Sequence, residues 1–389
     1  LVMTSGNAGG EPICLGNREA LKRLGGIADI FLLHNRDILI RTDDSVVRPL
    51  TRGEAPEGGD APPTLYLRRA RGYVPSPVSL PVSGPSVVGL GPMLKATLCV
   101  NKGRDAFVSQ HVGDLESLAT FGFYQETLQH MLGVLRVTPT ACVADLHPDY
   151  PSTRFALEQE RWPVLRLQHH AAHIYAVLAE HGLREPVLGL ALDGTGLGED
   201  GTLWGGEGLL VDPLRLCHER LAHFSPMRLP GGDAAVREPW RTAQACFAAL
   251  GETPENAHAW PWIAGQESAV TLVGNMLEKG FNCPVTTSCG RLFDAVAALL
   301  GLCRRIDYEG QAAILLERAQ DRAEQGAYAC PVLACETPVR LDTLALFAQA
   351  ASDAARGEPA GRVARRFHLG LVAGLAGLAV GRAAEAEPR

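Results

Sequence analysis

The chain has 389 residues, 46% of them apolar and 20% charged, a globular balance that excludes a disordered, fibrous or coiled-coil protein. Acidic residues number 43 and basic residues 36, and the net charge of -7 offers no whole-molecule attraction to nucleic acid or to an anionic membrane. Domains average about 150 residues, so the length predicts two or three of them, and any anionic substrate must be held by a local basic site.

In chain order, the opening LVMTSGNAGGEP reads as a buried strand followed by a turn, with no signal-peptide n-region before it, so the chain is expected to begin inside a domain. Residues 18–24 are predicted helical and residues 29–33 and 37–41 to be strands, together forming a small α+β unit over residues 1–73. Four prolines in VPSPVSLPVSGPS predict an extended, poorly packed linker at residues 74–86. From residue 87 the pattern is strand, hairpin, strand, helix, with a tight turn at Asn101-Lys102-Gly103. A second opening of this kind begins at residue 186, two apolar strands around a Gly/Asp-rich connection. The repetition predicts a duplicated α/β architecture over residues 87–389.

After residue 229 the chain reads as helical, with amphipathic spacing at 234–250 and 291–302 and Ala-rich helices at 341–384. It stops without the final strand that would complete a second sheet. The most apolar stretch, residues 367–381, falls short of the roughly 20 residues of a membrane span and predicts a buried helix. Ten scattered cysteines without a CxxC pair read as reduced, mostly buried thiols of a cytoplasmic protein.

The sharpest local signal is QHHAAHI at residues 168–174. On a helix His169 and His173 are one turn apart, so both imidazoles share a face and can share a metal. A third ligand must come from tertiary structure, and Asp193, at the end of the strand LGLALD, is the nearest candidate. A solvated helix start is the competing reading. His170 occupies the position where an HExxH metalloprotease needs Glu, which disfavours peptidase chemistry. Two histidines and a carboxylate suit zinc or iron equally.

Two glycine-rich segments follow, GLGPMLKAT from Gly89 and LDGTGLGEDG with Gly194 and Gly196. Their backbone N–H groups could cradle phosphate, with Lys95 as a point charge, although either could be only a turn. Arg68 and Arg71 in RRARG could clamp phosphate or be solvated. His111 and Asp114 in SQHVGD could be site residues or satisfied turn residues. Asp294 and Glu309 could contact ribose or a partner, or serve as a helix cap or salt bridge.

The segments LVMTSGN-x-x-x-EPI, HNRDILIRTDDSVVR, LRRARGYVP, LKATLCV, SQHVGDLE, DLHPDYPSTRFA, QHHAAHI, LDGTGLGEDGTLWGGE, LPGGDAAVREPWR, GRLFDAVAALLG and YEGQAA, in this order, resemble the HypF family of carbamoyltransferases that mature nickel-iron hydrogenases. The resemblance implies the end of a YrdC-like α+β domain, with Ser5 and Asn7 in its Ser-x-Asn element. A Kae-type, actin-like ATPase domain of the ASKHA fold, with His169, His173 and Asp193 as metal ligands, would follow it. It also implies carbamoyl phosphate and ATP as substrates, with magnesium, a carbamoyl adenylate intermediate, and transfer to the C-terminal cysteine of HypE.

Several family segments have no counterpart here: the acylphosphatase domain, the two four-cysteine modules, the first part of the YrdC-like domain, and the final Ser-Gly-Gly and Asn-Asp-Gly-Gly segments. The resemblance is therefore to an internal, C-terminally truncated fragment. Neither a nucleic acid nor a membrane is expected as a partner. The competing functions are a threonylcarbamoyl transferase or O-carbamoyltransferase on the same fold, and a non-catalytic docking fragment.

Overall fold

The computed structural model describes residues 4–50, 64–251, 260, 263 and 265–386. Two units divide the chain, Leu1–His169 with Ala176–Leu183 and His170–Tyr175 with Arg184–Arg389, so the boundary falls inside one helix.

The first unit opens with helix α1 (Asn17–Leu24), where a helix was predicted. Its Glu19 accepts from Arg23 at 2.6 Å and from Arg41 at 3.2 Å. Strands β1 (Val46–Pro49) and β2 (Thr64–Arg68) pair antiparallel as a separate two-stranded sheet. The strands predicted at 29–33 and 37–41 do not form. A strand needs both a ladder and a layer to bury against, and Ile30, Leu32 and Leu39 remain 87%, 99% and 86% exposed. Of the predicted opening strand, residues 1–3 lie outside the described residues, and residues 4 and 5 are exposed and outside any strand.

The rest of this unit is built from β3 (Val78–Gly84), β4 (Val87–Gly89), β5 (Cys99–Val108), α2 (Leu118–Leu135), β6 (Ala141–Asp145), α3 (Pro151–Glu158), β7 (Val164–Leu167) and α4 (His169–Glu180). Its sheet runs β3-β5-β4-β6-β7, antiparallel at β3/β5 and β5/β4, parallel at β4/β6 and β6/β7. The predicted linker thus supplies an edge strand. Its prolines are tolerated because β3 lies at the edge and its register with β5 breaks between Ser79 and Gly84.

The turn predicted at Asn101-Lys102-Gly103 is instead the interior of β5. There the buried Asn101 side chain accepts from Val87 N at 2.6 Å and donates to the Pro85 carbonyl at 3.0 Å. The reversal falls earlier, around Gly91, which has φ +66° and where a Cβ would lie 2.6 Å from the Thr97 carbonyl oxygen. Val88, Leu90, Leu98, Val100, Phe123 and Tyr124 form this unit's core.

The second unit contains β8 (Val187–Leu197), β9 (Leu203–Asp212), β10 (Cys217–Phe224), β11 (Met227–Arg228), α5 (Asp233–Arg237), α6 (Pro239–Ala249), α7 (Glu267–Lys279), β12 (Val285–Thr286), α8 (Cys289–Leu299), α9 (Gln311–Ala319), β13 (Val332–Leu333), β14 (Val339–Leu341), α10 (Thr343–Ala355) and α11 (Ala360–Ala386). The predicted second hairpin is β8/β9, turning at Gly201 with φ +76°. Strand β10 extends it antiparallel and β14 pairs parallel to β10. Each unit therefore repeats an antiparallel opening joined to parallel pairing, as the duplicated pattern implied.

Helices α6, α8, α10 and α11 enclose a core around Leu292, Phe347 and Phe367, each such side chain contributing about 1.5–3 kcal/mol on burial. Helix α11 corrects the length expected of the apolar stretch: 22 residues, Ala360–Gly381, are long and apolar enough to cross a membrane, with 39% of that window buried. Val363, Phe367 and Leu371 pack into this core, and Arg366 of the same helix pairs with Asp353 at 2.7 Å and Glu324 at 2.9 Å.

Candidate functional site

Helix α4 begins at His169, so helix geometry alone puts His173 one turn further along the same face. Strand β8 brings Asp193 to this helix, its Oδ2 lying 3.8 Å from His173 Nε2 and 3.7 Å from His170 Nε2. Ligand atoms of His169, His173 and Asp193 all lie within 4.8 Å of one another. Opposite bonds of about 2.1 Å around one ion reach about 4.2 Å, so the set is nearly closed to coordination distance. Two imidazoles and a carboxylate are a borderline donor set that fits zinc or iron. His173 is the open side, 61% exposed, whereas the His169 side chain is 12% exposed.

Two supporting residues escaped the sequence reading. Asp145, the last residue of β6, accepts from His169 Nδ1 at 2.7 Å and is itself buried. A carboxylate on Nδ1 fixes the tautomer that leaves the Nε2 lone pair available. The sequence did carry a signal: Asp145 ends the apolar strand ACVAD as Asp193 ends LGLALD, and ligand-facing carboxylates gather at strand carboxyl ends. His170 is the second, fully buried beside Asp193, and nothing in its spacing marks it.

Asp193 sits where the β8/β9 register shifts, between Leu192 and Gly196. Its Oδ1 accepts from Gly194 N at 2.6 Å, which occupies the amide expected to cradle phosphate. Gly196 lies in the ladder opposite Trp204, so it is a strand residue and not a loop amide donor. Cys289 lies close enough for Asp193 to act on it. Burial first, and that negative charge second, push its thiol up to about 12, so it remains protonated.

In the first unit a separate polar cavity of about 260 Å³ gathers Asn7, Arg68, His111 and Asp114. Arg68 is exposed. His111 is held below the usual imidazole range by burial, then by the positive charges of Arg68 and Lys95, with Asp43 opposing. It stays neutral near pH 7. Lys95 is exposed and holds φ +50°. Asp114 Oδ1 accepts from Glu116 N at 3.0 Å, a turn-capping bond, and Asn7 Nδ2 donates to the Glu11 carbonyl at 2.8 Å. Ser5 donates to Asn7 Oδ1 at 2.7 Å.

The remaining sequence candidates lie elsewhere. Arg71 donates to the Thr42 carbonyl at 2.8 Å and stands 3.6 Å from Asp44. Asp294, read as a ribose or partner contact, a helix cap or a salt bridge, is enclosed in the α8 core 2.7 Å from Arg291, the salt-bridge alternative, and burial raises its carboxyl to about 6. Glu309 is exposed in the turn before α9.

Comparison with known proteins gives these residues a common context. Residues 189–388 match the family described as "Carbamoyltransferase, Kae1-like Domain, second subdomain", residues 83–180 the "HypF Kae1-like domain", and residues 1–56 the Sua5/YciO/YrdC family described as "Telomere recombination". Carbamoyltransferase HypF2 of Cupriavidus necator is 51% identical over 320 residues, 82% of this chain and 38% of that protein. The chain thus spans about two fifths of the length of this relative. A HypF homolog of the same organism is 39% identical, covering 75% of this chain and 76% of the homolog. A crystal structure of full-length HypF in the phosphate- and nucleotide-bound form superposes with a TM-score of 0.90 at 35% identity, over 98% of this chain and 58% of that one. The trio and the residues that support it fall inside the matched segments, and the chain belongs to the HypF carbamoyltransferase family.

Proposed function

We propose that this chain carries the carbamoyl-transfer part of a HypF protein. Carbamoyl phosphate is hydrolysed to carbamate and phosphate, carbamate and ATP give carbamoyl adenylate and pyrophosphate, and the carbamoyl group passes to the C-terminal cysteine thiolate of HypE in the cytoplasm. In that step the sulfur forms a bond to the carbamoyl carbon, the carbon–oxygen bond to the phosphate breaks, and AMP leaves. The observation that carries the reading is the approach of His169, His173 and Asp193 within 4.8 Å. The nucleotide-bound state of the similar HypF supports a nucleotide here as well.

The chain's own groups have definable tasks. Asp145 holds the His169 ring with Nε2 directed away from it. A divalent cation on the trio, zinc or iron, would supply Lewis-acid stabilisation of negative charge on the carbamoyl oxygen. Arg68 and Lys95, whose charges act on His111, supply positive charge for a phosphate group, with magnesium accompanying the nucleotide. His111, kept neutral, can accept a proton. Burial pushes the Cys246 and Cys289 thiols up to about 12, so these two thiols are poor nucleophiles.

The test is a full-length protein with His169→Ala and His173→Ala, assayed for thiocarboxamide on HypE. Transfer should be abolished while carbamoyl phosphate hydrolysis persists. Retained transfer in the double variant contradicts the assignment.

A further inference from the structure

Asp193 lies where the β8/β9 register shifts, between Leu192 and Gly196. The N-terminal turn of α8 bonds to this segment. Ser288, the fully buried N-cap of that helix, donates its hydroxyl to the Gly194 carbonyl at 2.6 Å, with the Asp193 carbonyl at 3.3 Å, and accepts from Arg291 N at 3.1 Å. Its own amide donates to Thr286 Oγ1 at 3.1 Å. One hydroxyl therefore joins the bulge to a helix terminus whose orientation is already set.

Two glycines lie close against this bulge. A Cβ on Gly205 would lie 2.7 Å from the Asp193 carbonyl oxygen and 2.9 Å from Ser288 Cα. A Cβ on Gly290 would lie 3.1 Å from Gly194 Cα. Glycine at both positions lets two backbones close on the Asp193 segment. The neighbouring strand is braced in turn. Buried Glu207 accepts from Thr287 Oγ1, from Arg220 Nε at 2.7 Å and from Gly205 N at 3.2 Å, and the Arg220 guanidinium lies 4.1 Å over the Trp204 ring.

We propose that Ser288 is a positioning residue for the Asp193 carboxylate, tying the strand break to the start of α8 and thereby setting the affinity of the His169, His173 and Asp193 group for a divalent cation. The proposal rests on the metal reading above. Groups that orient ligands typically change metal affinity by about 10–100-fold when removed. Loss of the Ser288 hydroxyl leaves the Gly194 carbonyl without this donor and lets the bulge relax, so its effect should fall in that range.

The probe is Co²⁺, titrated into the chain and followed by its visible absorption, beside melting of the metal-free protein. Ser288→Ala should weaken Co²⁺ binding at least about tenfold and alter the absorption bands. Gly290→Ala, which keeps the hydroxyl but crowds Gly194, should weaken it too. Leu316→Ala, a cavity variant at a fully buried position of α9, should lower the melting temperature while leaving Co²⁺ affinity unchanged. Wild-type affinity in Ser288→Ala, or an equal loss in Leu316→Ala, overturns the proposal while leaving the metal reading intact. Failure of the wild-type chain to take up Co²⁺ at all overturns the metal reading and this proposal with it.

Discussion

The group of His169, His173 and Asp193 and the polar cavity of the first unit place their side chains by different means. His169 and His173 ride on one helix, and Asp193 lies at a strand register shift to which the Ser288 hydroxyl at the start of α8 bonds. Asn7, Arg68, His111 and Asp114 come from three chain segments between residues 7 and 114, and none lies on a helix. A site on regular elements inherits their rigidity, whereas a site built from loops and strand ends depends on tertiary contacts that must each be present.

The largest effect should come from removing the imidazoles. His169→Ala with His173→Ala should abolish Co²⁺ uptake by the chain, measured by equilibrium dialysis, and leave ATP binding intact. Parallel loss of both ligands would erase the distinction between the two regions.

Asp145→Ala comes next. It should weaken Co²⁺ binding about 10–100-fold, and Asp145→Asn, which keeps an acceptor for His169 Nδ1, should lose less. Equal losses would mean that the carboxylate charge, and not the tautomer, matters.

Arg68→Ala sharpens the comparison from the other side. Hydrogen bonds to charged groups contribute about 1.5–3 kcal/mol, so calorimetry should show ATP binding weakened roughly tenfold or more with Co²⁺ affinity unchanged. Unaltered ATP binding would return Arg68 to the solvated surface.

The pH dependence should be smallest. His111 and His368 have folded values below the unfolded 6.5, so their stabilising contribution is present above that pH and is lost as pH falls through the lower folded values. Urea midpoints should decline on acidification below pH 6.5, and His368→Gln should flatten the decline.

What the sequence disclosed follows the same division. The i, i+4 histidines and the terminal Asp of LGLALD were legible because helix period and strand direction are local properties. The β8/β9 hairpin and the helices after residue 229 were legible for the same reason. The turn assigned to Asn101-Lys102-Gly103 failed because a strand interior can hold Asn when its side chain finds backbone partners, here Val87 and Pro85. The strands assigned near Ile30 and Leu39 failed because apolar alternation does not supply the layer that buries it. Asp145 and Ser288 were missed because their roles exist only once β6 meets α4 and α8 meets β8.

If His169, His173 and Asp193 hold one divalent cation, crystals of the chain grown with Co²⁺ and measured at the cobalt edge should show one strong anomalous peak bonded by all three side chains at about 2.0–2.2 Å. A peak held by other residues, or none at this helix, would contradict this assignment.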